Sequence, residues 1–172
     1  MSLAEPIRNK VAESGIITVD LAPLIPAPEQ IALFDLQPFL FMGMILREKD
    51  YRAALQSHDW AQYAHKHVGI VCTADAIIPL WAYMLAASQL YGHAASIHYG
   101  PAEVVASEVL RERILALPAA EYAGKRLVLK GCGDVPVPAA AYVAATTHLQ
   151  GVAKSIMYGE PCSTVPVFKN RS

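Results

Sequence analysis

Three cysteines and two aspartates are the side chains of this sequence with the clearest chemical potential: Cys72, Cys132, Cys162, Asp75 and Asp134. Thiolates are soft metal ligands and strong nucleophiles, so cysteines brought together can bind zinc or iron or carry sulfur. A pair of carboxylates can act in acid–base chemistry or help to bind a metal ion. These five residues therefore predict either a metal or sulfur site or a catalytic pair.

The two aspartates occupy the same point of an internal repeat. Residues 66–100 are repeated without a gap, 59 residues later, by residues 125–159. Thirteen of the 35 aligned positions are identical, whereas chance would give roughly two or three, and self-similarity of this kind constrains a fold strongly. Asp75 aligns with Asp134, and Cys72 and Cys132 lie close to the aspartate in each copy. The repeat therefore indicates where chemistry is to be sought.

Each candidate also has a structural interpretation, which the sequence leaves open. An aspartate a few residues before a helix can close an Asx-turn, and Cys72, at the end of an apolar strand, can be a small buried side chain. Cys132 lies between two glycines, which favours an accessible thiol. His98, at the end of its own strand, is a further ligand that a soft metal would accept. Thr73, Gly133, Tyr83 and Tyr142 are the residues of the two repeats that we expect to contact a ligand.

Strands and helices alternate along the chain. The predicted elements are strands at 15–21, 68–72, 95–99 and 127–130, and helices at 36–56, 79–91, 102–117 and 138–150. Residues 155–158 fit a strand, but their apolar spacing also allows the last helix to continue to Met157, with 162–168 as the closing strand. The helix at 102–117 is the predicted crossover between the repeats.

This alternation predicts a single α/β domain over residues 1–172, with a mostly parallel sheet in three layers, a duplicated βαβ unit, and an N-terminal strand and long helix before it. The simplest strand order for the two repeats is 2-1-3-4, in which their first strands are neighbours. Ligands of such sheets bind at the carboxyl ends of the strands. We therefore expect one cleft between residues 72–75 and residues 131–134.

Composition excludes several classes of function. The chain has 172 residues, a formal net charge of -1 and a pI near 6.6, which argue against a nucleic-acid surface. No apolar stretch reaches the ~20 residues of a membrane span, and the start has no pattern of a signal peptide. An odd number of widely spaced cysteines is typical of reduced thiols. We expect a cytoplasmic protein without nucleic-acid or membrane partners, and a homo-oligomer remains open.

Four segments resemble the signature segments of an uncharacterised bacterial family, the domain of unknown function numbered 2480. They are residues 45–51, 72–83, 130–138 and 157–166, and the similarity extends over nearly the whole chain. The resemblance implies no established activity. It does imply a gene neighbourhood with the Suf system of iron–sulfur cluster assembly, and so assembly proteins as partners. All three cysteines lie in these segments.

Two functions from different classes follow. The first is a cytoplasmic accessory protein that binds zinc or iron, or carries sulfur, through Cys72, Cys132, Cys162 and His98, with Asp75 and Asp134 in support. The second is an enzyme for a small ligand in the same cleft, with an aspartate as general base and Cys132 as nucleophile. A third interpretation is a non-catalytic scaffold whose helix at 36–56 recruits a partner.

Overall fold

The computed structural model describes residues 15–130, 135–160 and 163–170. The chain divides into two compact units. The terminal unit comprises Met1–Ile25 and Leu110–Ser172, and the central unit comprises Pro26–Val109. Both combine helices with parallel strands, so the mixed α/β class predicted from the sequence is confirmed.

The described chain contains strands and α-helices of nine to fourteen residues. The strands are β1 (Ile16–Val19), β2 (Ile31–Asp35), β3 (Leu40–Phe41), β4 (Ile45–Leu46), β5 (His67–Val71), β6 (Ser96–Tyr99), β7 (Arg126–Lys130), β8 (Ser155–Glu160) and β9 (Ser163–Lys169). The α-helices are α1 (Glu48–Gln56), α2 (Leu80–Leu90), α3 (Ala102–Leu115) and α4 (Ala139–Leu149).

The central unit contains a parallel sheet in the order β2-β5-β6 and a small antiparallel pair of β3 and β4. Helix α2 connects β5 to β6 and buries Ala82, Ala86 and Leu90, which are spaced four residues apart and so form one stripe. This stripe belongs to the same core cluster as Val68 and Ile70 of β5. The small alanine side chains allow the helix to pack closely on the sheet.

The terminal unit has a sheet in the order β1-β7-β8-β9, in which the first three strands are parallel and β9 is antiparallel to β8. Helix α4 connects β7 to β8 and buries Ala141, Ala145 and Leu149 at the same fourfold spacing. These residues share a core with Leu127 and Ile156. Helix α4 begins and ends 59 residues after α2, the offset of the sequence repeat.

The predicted helix at 36–56 is wrong over its first half. Residues Gln37–Phe39 form a single 3-10 turn that contains Pro38, and β3 and β4 follow as a hairpin. Met42 and Gly43 turn this hairpin with φ of 50° and 70°, which no helix tolerates. Only Glu48–Gln56 is helical. The apolar spacing that suggested a helix belongs instead to short strands and turns.

The predicted strand order 2-1-3-4 is also wrong, because β5 and β7 belong to different sheets. Each is central in its own sheet, with an earlier strand of the chain, β2 or β1, on one side. The predicted cleft therefore cannot rest on β5 and β7 as neighbours in one sheet, and residues 131–134 on its second side lie outside the described residues. Strand β2 had no counterpart in the sequence prediction.

The remaining strand predictions are confirmed. Strand β1 lies within the predicted N-terminal strand, and Ser155–Glu160 is a strand rather than an extension of helix α4. The closing strand is β9, which begins at Ser163. Pro79 and Pro138 precede their helices as N-cap residues with extended backbone, instead of occupying the first helical position.

Candidate functional site

The carboxyl ends of the parallel strands are the part of each unit where chemically active side chains collect. In the central unit, Asp35 ends β2, Cys72 and Thr73 follow β5, and Tyr99 ends β6. Loops at this edge of a parallel sheet are the usual position of binding sites in open α/β folds.

Asp35 is the centre of a hydrogen-bond network in the central unit. Its Oδ1 accepts from the backbone N of Thr73 at 3.0 Å and of Gln37 at 2.9 Å, and its Oδ2 accepts from Thr73 Oγ1 at 2.5 Å. Burial raises the pKa of the Asp35 carboxyl, but the hydrogen bonds from Thr73 and Gln37 outweigh burial and hold it below its usual value. Thr73, predicted as a ligand contact, thus joins β5 to β2.

Asp20 has the corresponding position in the terminal unit, directly after β1. Its Oδ1 accepts from Ala22 N at 3.0 Å, and its Oδ2 pairs with Lys130 Nζ at 2.9 Å. The hydrogen bond from Lys130 and the one from Ala22 lower the pKa of Asp20. Both aspartates begin the same short motif, Asp-Leu-x-Pro, at Asp20–Pro23 and Asp35–Pro38. This motif, which precedes both copies of the repeat, is the sequence signal for these two aspartates.

Cys72 lies close to a tyrosine pair. The rings of Tyr83 and Tyr99 meet edge to face with centroids 5.4 Å apart, and Cys72 is half-buried beside the core cluster that includes Tyr83. Burial is the main cause that raises the pKa of Tyr83, and the neighbouring Tyr99 and Cys72 raise it further. The Cys72 Sγ lies 3.7 Å from Ala74 O. The predicted residues Cys72 and Tyr83 are therefore brought together at this edge.

The terminal unit contains the same tyrosine pair beside an apolar groove. The rings of Tyr142 and Tyr158 lie 5.3 Å apart, again edge to face, and Tyr142 donates a hydrogen bond to Lys130 O at 2.9 Å. The groove has a volume of about 500 Å³. It is lined by Leu129, Ala139, Tyr142, Val143, Thr146, Thr147, Tyr158 and Val167. Tyr142, predicted from the repeat as a ligand contact, thus lines a groove that can hold an apolar group.

Asp75 is exposed, and within the described part of the chain its carboxylate has no hydrogen-bond or ion-pair partner. The Asx-turn interpretation of Asp75 is therefore not supported by its contacts. The Asx-turns of the described residues include those of Asp20 and Asp35, each of which accepts from the backbone two residues on. Asp75 is free to interact with solvent or a ligand.

His98 is directed away from Cys72. It pairs across the sheet with Gly69, three residues before Cys72, and side chains alternate along a strand, so His98 and Cys72 lie on opposite faces. Its Nε2 lies 2.7 Å from Ser96 Oγ, which lies 2.7 Å from His67 Nδ1. One serine hydroxyl therefore links two histidines, an arrangement that sequence reasoning missed.

Cys132, Gly133, Asp134 and Cys162 lie outside the described residues. Among residues 15–130, 135–160 and 163–170, no group of three or more His, Cys, Asp or Glu side chains is arranged to hold a metal ion. The metal and catalytic predictions for these four positions stay predictions.

The sequence matches the model of one family, described as "Protein of unknown function (DUF2480)", over residues 5–170. The chain belongs to the DUF2480 family. No curated protein matches it. No solved structure matches it either. Membership of DUF2480 confirms the resemblance of the sequence, and it assigns no activity.

The described part of this DUF2480 chain contains no helix that is both long and apolar enough to cross a membrane.

Proposed function

We propose that this DUF2480 protein is a cytoplasmic accessory protein that binds a soft metal ion or carries sulfur at the strand ends of its terminal unit. Cys132 and Cys162 are the proposed thiolate ligands, and Asp134 is the supporting carboxylate. The DUF2480 resemblance adds iron–sulfur assembly proteins as the partners to test. Zinc and iron are the metals to test first, because both accept thiolate ligands.

One observation carries this proposal: β7 and β8 are neighbouring parallel strands that end side by side. Lys130, the last residue of β7, pairs with Gly159 of β8. Cys132 comes two residues after the end of β7, and Cys162 two residues after the end of β8. Two residues of extended chain span at most roughly 7 Å, so we expect both thiols near the same edge of one sheet.

The surroundings support a thiolate site. Lys130 at the end of β7 carries positive charge, which favours the thiolate form of a nearby cysteine, although Lys130 is also paired with Asp20. The apolar groove beside Tyr142 and Tyr158 lies along the same two strands. Apolar surface next to a metal or persulfide limits the access of water. Cys72 belongs to the central unit, and we leave it out of the proposed site.

We also propose that the two units descend from one duplicated βαβ unit and that each forms layers of helix and sheet. The support is that α2 and α4, and the preceding strands β5 and β7, have both boundaries at the repeat offset, and that β6 and β8 begin at it. The Tyr83–Tyr99 and Tyr142–Tyr158 pairs and the Asp-Leu-x-Pro motifs extend the correspondence. The proposed thiol pair at the ends of β7 and β8 then belongs to one copy only, because the other copy has Thr73 at the position that aligns with Cys132.

Metal content and affinity of the full chain, purified without oxygen, test the proposal. We expect zinc or iron at near one equivalent per chain, or a persulfide that a reductant releases. Cys132→Ser and Cys162→Ser should each weaken metal binding at least about tenfold, since loss of a ligand costs more than loss of a residue that only orients one. Cys72→Ser is the matched control and should bind like the wild type.

Two results would contradict the proposal. One is a wild-type protein that binds neither metal and carries no persulfide. The other is an equal loss of binding in all three serine variants, because that would indicate that Cys72 contributes as much as the two cysteines that follow β7 and β8.

A further inference from the structure

The outer edges of the two sheets differ in one respect. In the terminal unit, β9 pairs with β8 in antiparallel orientation. The pairing extends from Ser155 opposite Lys169 to Glu160 opposite Ser163. In the central unit, β6 corresponds to β8 at the repeat offset, and among the described residues β5 is its only strand partner. Within the described part of the chain, the other side of β6 therefore presents unpaired backbone groups.

The backbone direction identifies which groups are presented. Ala95 N donates to Lys66 O on the β5 side, and in a strand the backbone groups of successive residues alternate between the two sides. Ser96 and His98 therefore direct their N–H and C=O groups outward. An unpaired row of this kind is a template for a further strand.

The side chains beside this edge are apolar and exposed. Leu80, Met84 and Tyr99 have exposed fractions of 79%, 71% and 71%. Their counterparts Ala139, Val143 and Tyr158 line the groove that Val167 of β9 closes on one side, and Tyr158 is only 42% exposed. Both units thus have apolar surface at this position, where Val143 is itself 64% exposed. Among the described residues, only the terminal unit has a further strand beside it.

Strand β6 also lacks the features that protect a free edge. Monomeric proteins place proline, lysine or a bulge on such strands. Strand β9, the outer strand of the terminal unit, contains Pro166 and Lys169, and its pairing shifts register between Ile156 and Met157. The sequence of β6 is Ser-Ile-His-Tyr, without proline, lysine or a carboxylate. This composition suits a strand that is covered.

We propose that β6 pairs antiparallel with β6 of a second copy of this chain, forming a twofold dimer with a continuous six-stranded sheet. The twofold axis is perpendicular to the sheet and lies midway between the two His98 residues. This symmetry keeps the helix-bearing faces of the two copies on the same side of the sheet. Ile97 of one copy then lies opposite Tyr99 of the other. The patches of Leu80 and Met84 extend this apolar contact.

A second copy is the occupant that these features favour. An antiparallel pair of identical strands is self-complementary, and twofold dimers are the commonest protein oligomers. The patch and the strand contain no Asp, Glu, Lys or Arg, and homodimer interfaces are depleted in charge at their centre. A six-stranded sheet also has an ordinary size. This inference does not depend on the proposed thiol site.

Sedimentation velocity of the full chain, at low and high micromolar concentration, tests the dimer. Leu80→Glu and Met84→Glu should each raise the dimer dissociation constant at least about tenfold, because each buries an unpaired carboxylate at the interface. Leu80 is the first residue of α2, where a negative charge is compatible with the helix. Val143→Glu is the matched control, because Val143 holds the equivalent position of the terminal unit, and it should dimerise like the wild type.

Hydrogen exchange of the backbone amides provides a second measurement on the same samples. The Ser96 and His98 amides should exchange slowly in the wild-type dimer and at least about tenfold faster in the two glutamate variants. A monomeric wild type would overturn the proposal. A monomer whose Ser96 and His98 amides are nevertheless protected would overturn it in favour of a segment of the same chain. A dimer that resists both variants, or that Val143→Glu disrupts equally, would also overturn it.

Discussion

At the scale of single residues, two aspartates outside the repeat, Asp20 and Asp35, stabilise strand ends in the described part of the chain. Asp35 accepts three hydrogen bonds at the end of β2, and Asp20 is paired with Lys130 at the end of β1. Asp75, which drew attention through its match to Asp134, makes no such contact among the described residues. An aspartate without a structural partner is a better candidate for function than one that ties two strands together.

Asp35→Asn should lower the free energy of unfolding by about 1–2 kcal/mol at neutral pH, because the amide accepts fewer hydrogen bonds than the carboxylate and lacks its charge. The pKa of Asp35 is lower in the folded chain than its usual value of 3.8. Its contribution is therefore complete above that value and disappears as the pH falls through the folded pKa. Urea denaturation over a pH series should show the difference from wild type vanishing in acid.

The matched control for Asp35 is Asp75→Asn, which should change stability by less than about 0.5 kcal/mol at any pH. If Asp35→Asn were as stable as the wild type at neutral pH, or if its deficit persisted in strong acid, the assigned network would be wrong.

Tyr51→Phe should cost about 1 kcal/mol of stability, because the Tyr51 hydroxyl donates to Ala82 O at 3.2 Å in a fully buried position. This bond joins α1 to α2. Burial raises the pKa of Tyr51, so the hydroxyl remains a donor up to strongly basic pH. Tyr91→Phe, at a position that is 83% exposed, is the control. Thermal unfolding measures both, and equal stability of the two variants would contradict this role.

At the scale of elements, periodicity predicted the parts of the chain whose apolar residues face one side. Helices α2 and α4 and strands β5 to β8 were found close to their predicted bounds because their buried residues repeat at helical or strand spacing. The helix prediction for residues 36–46 was wrong because Leu36, Leu40 and their neighbours have the spacing of an apolar helical stripe. Pro38 and the left-handed Met42 decide against a helix.

The pairing of strands was less predictable than the strands themselves. Sequence periodicity indicates which residues are buried, but it does not indicate which distant strand pairs with a given strand. The single sheet of the prediction required β5 and β7 to be neighbours, whereas β1 and β2 take those places. The candidate site was predicted in part for the same reason: Cys72 and Tyr83 meet, whereas His98 lies on the other face.

Gly69 identifies a point where β5 and α3 pack too closely for a side chain. A Cβ at Gly69 would lie 2.4 Å from Gly100 O and 2.7 Å from Val105 Cγ2. Gly69→Ala should therefore destabilise the protein by about 1–3 kcal/mol, through forced movement of backbone. The aligned residue of the terminal unit, Val128, carries a buried side chain, so the close approach is specific to the central unit.

Thermal and urea unfolding of Gly69→Ala measures this cost. Gly151→Ala is the control, because a Cβ there has no atom within 4 Å and its backbone is not left-handed. A Gly69→Ala protein with the stability of the wild type would mean that α3 does not approach β5 as described.

At the scale of the whole molecule, the chain combines two units of similar plan, and the proposed chemistry belongs to one of them. The terminal unit has the covered sheet edge, the apolar groove and the two strand ends that are followed by cysteines. The central unit has a single cysteine, Cys72, and an aspartate network that serves the fold.

Cobalt(II) titration of the anaerobic full chain tests the central claim most directly, because thiolate ligation gives an intense charge-transfer absorption that oxygen or nitrogen ligands do not. We expect this absorption in the wild type and in Cys72→Ser, and its loss or strong weakening in both Cys132→Ser and Cys162→Ser. Charge-transfer absorption that survives in Cys132→Ser and Cys162→Ser but disappears in Cys72→Ser would contradict a thiol site at the ends of β7 and β8.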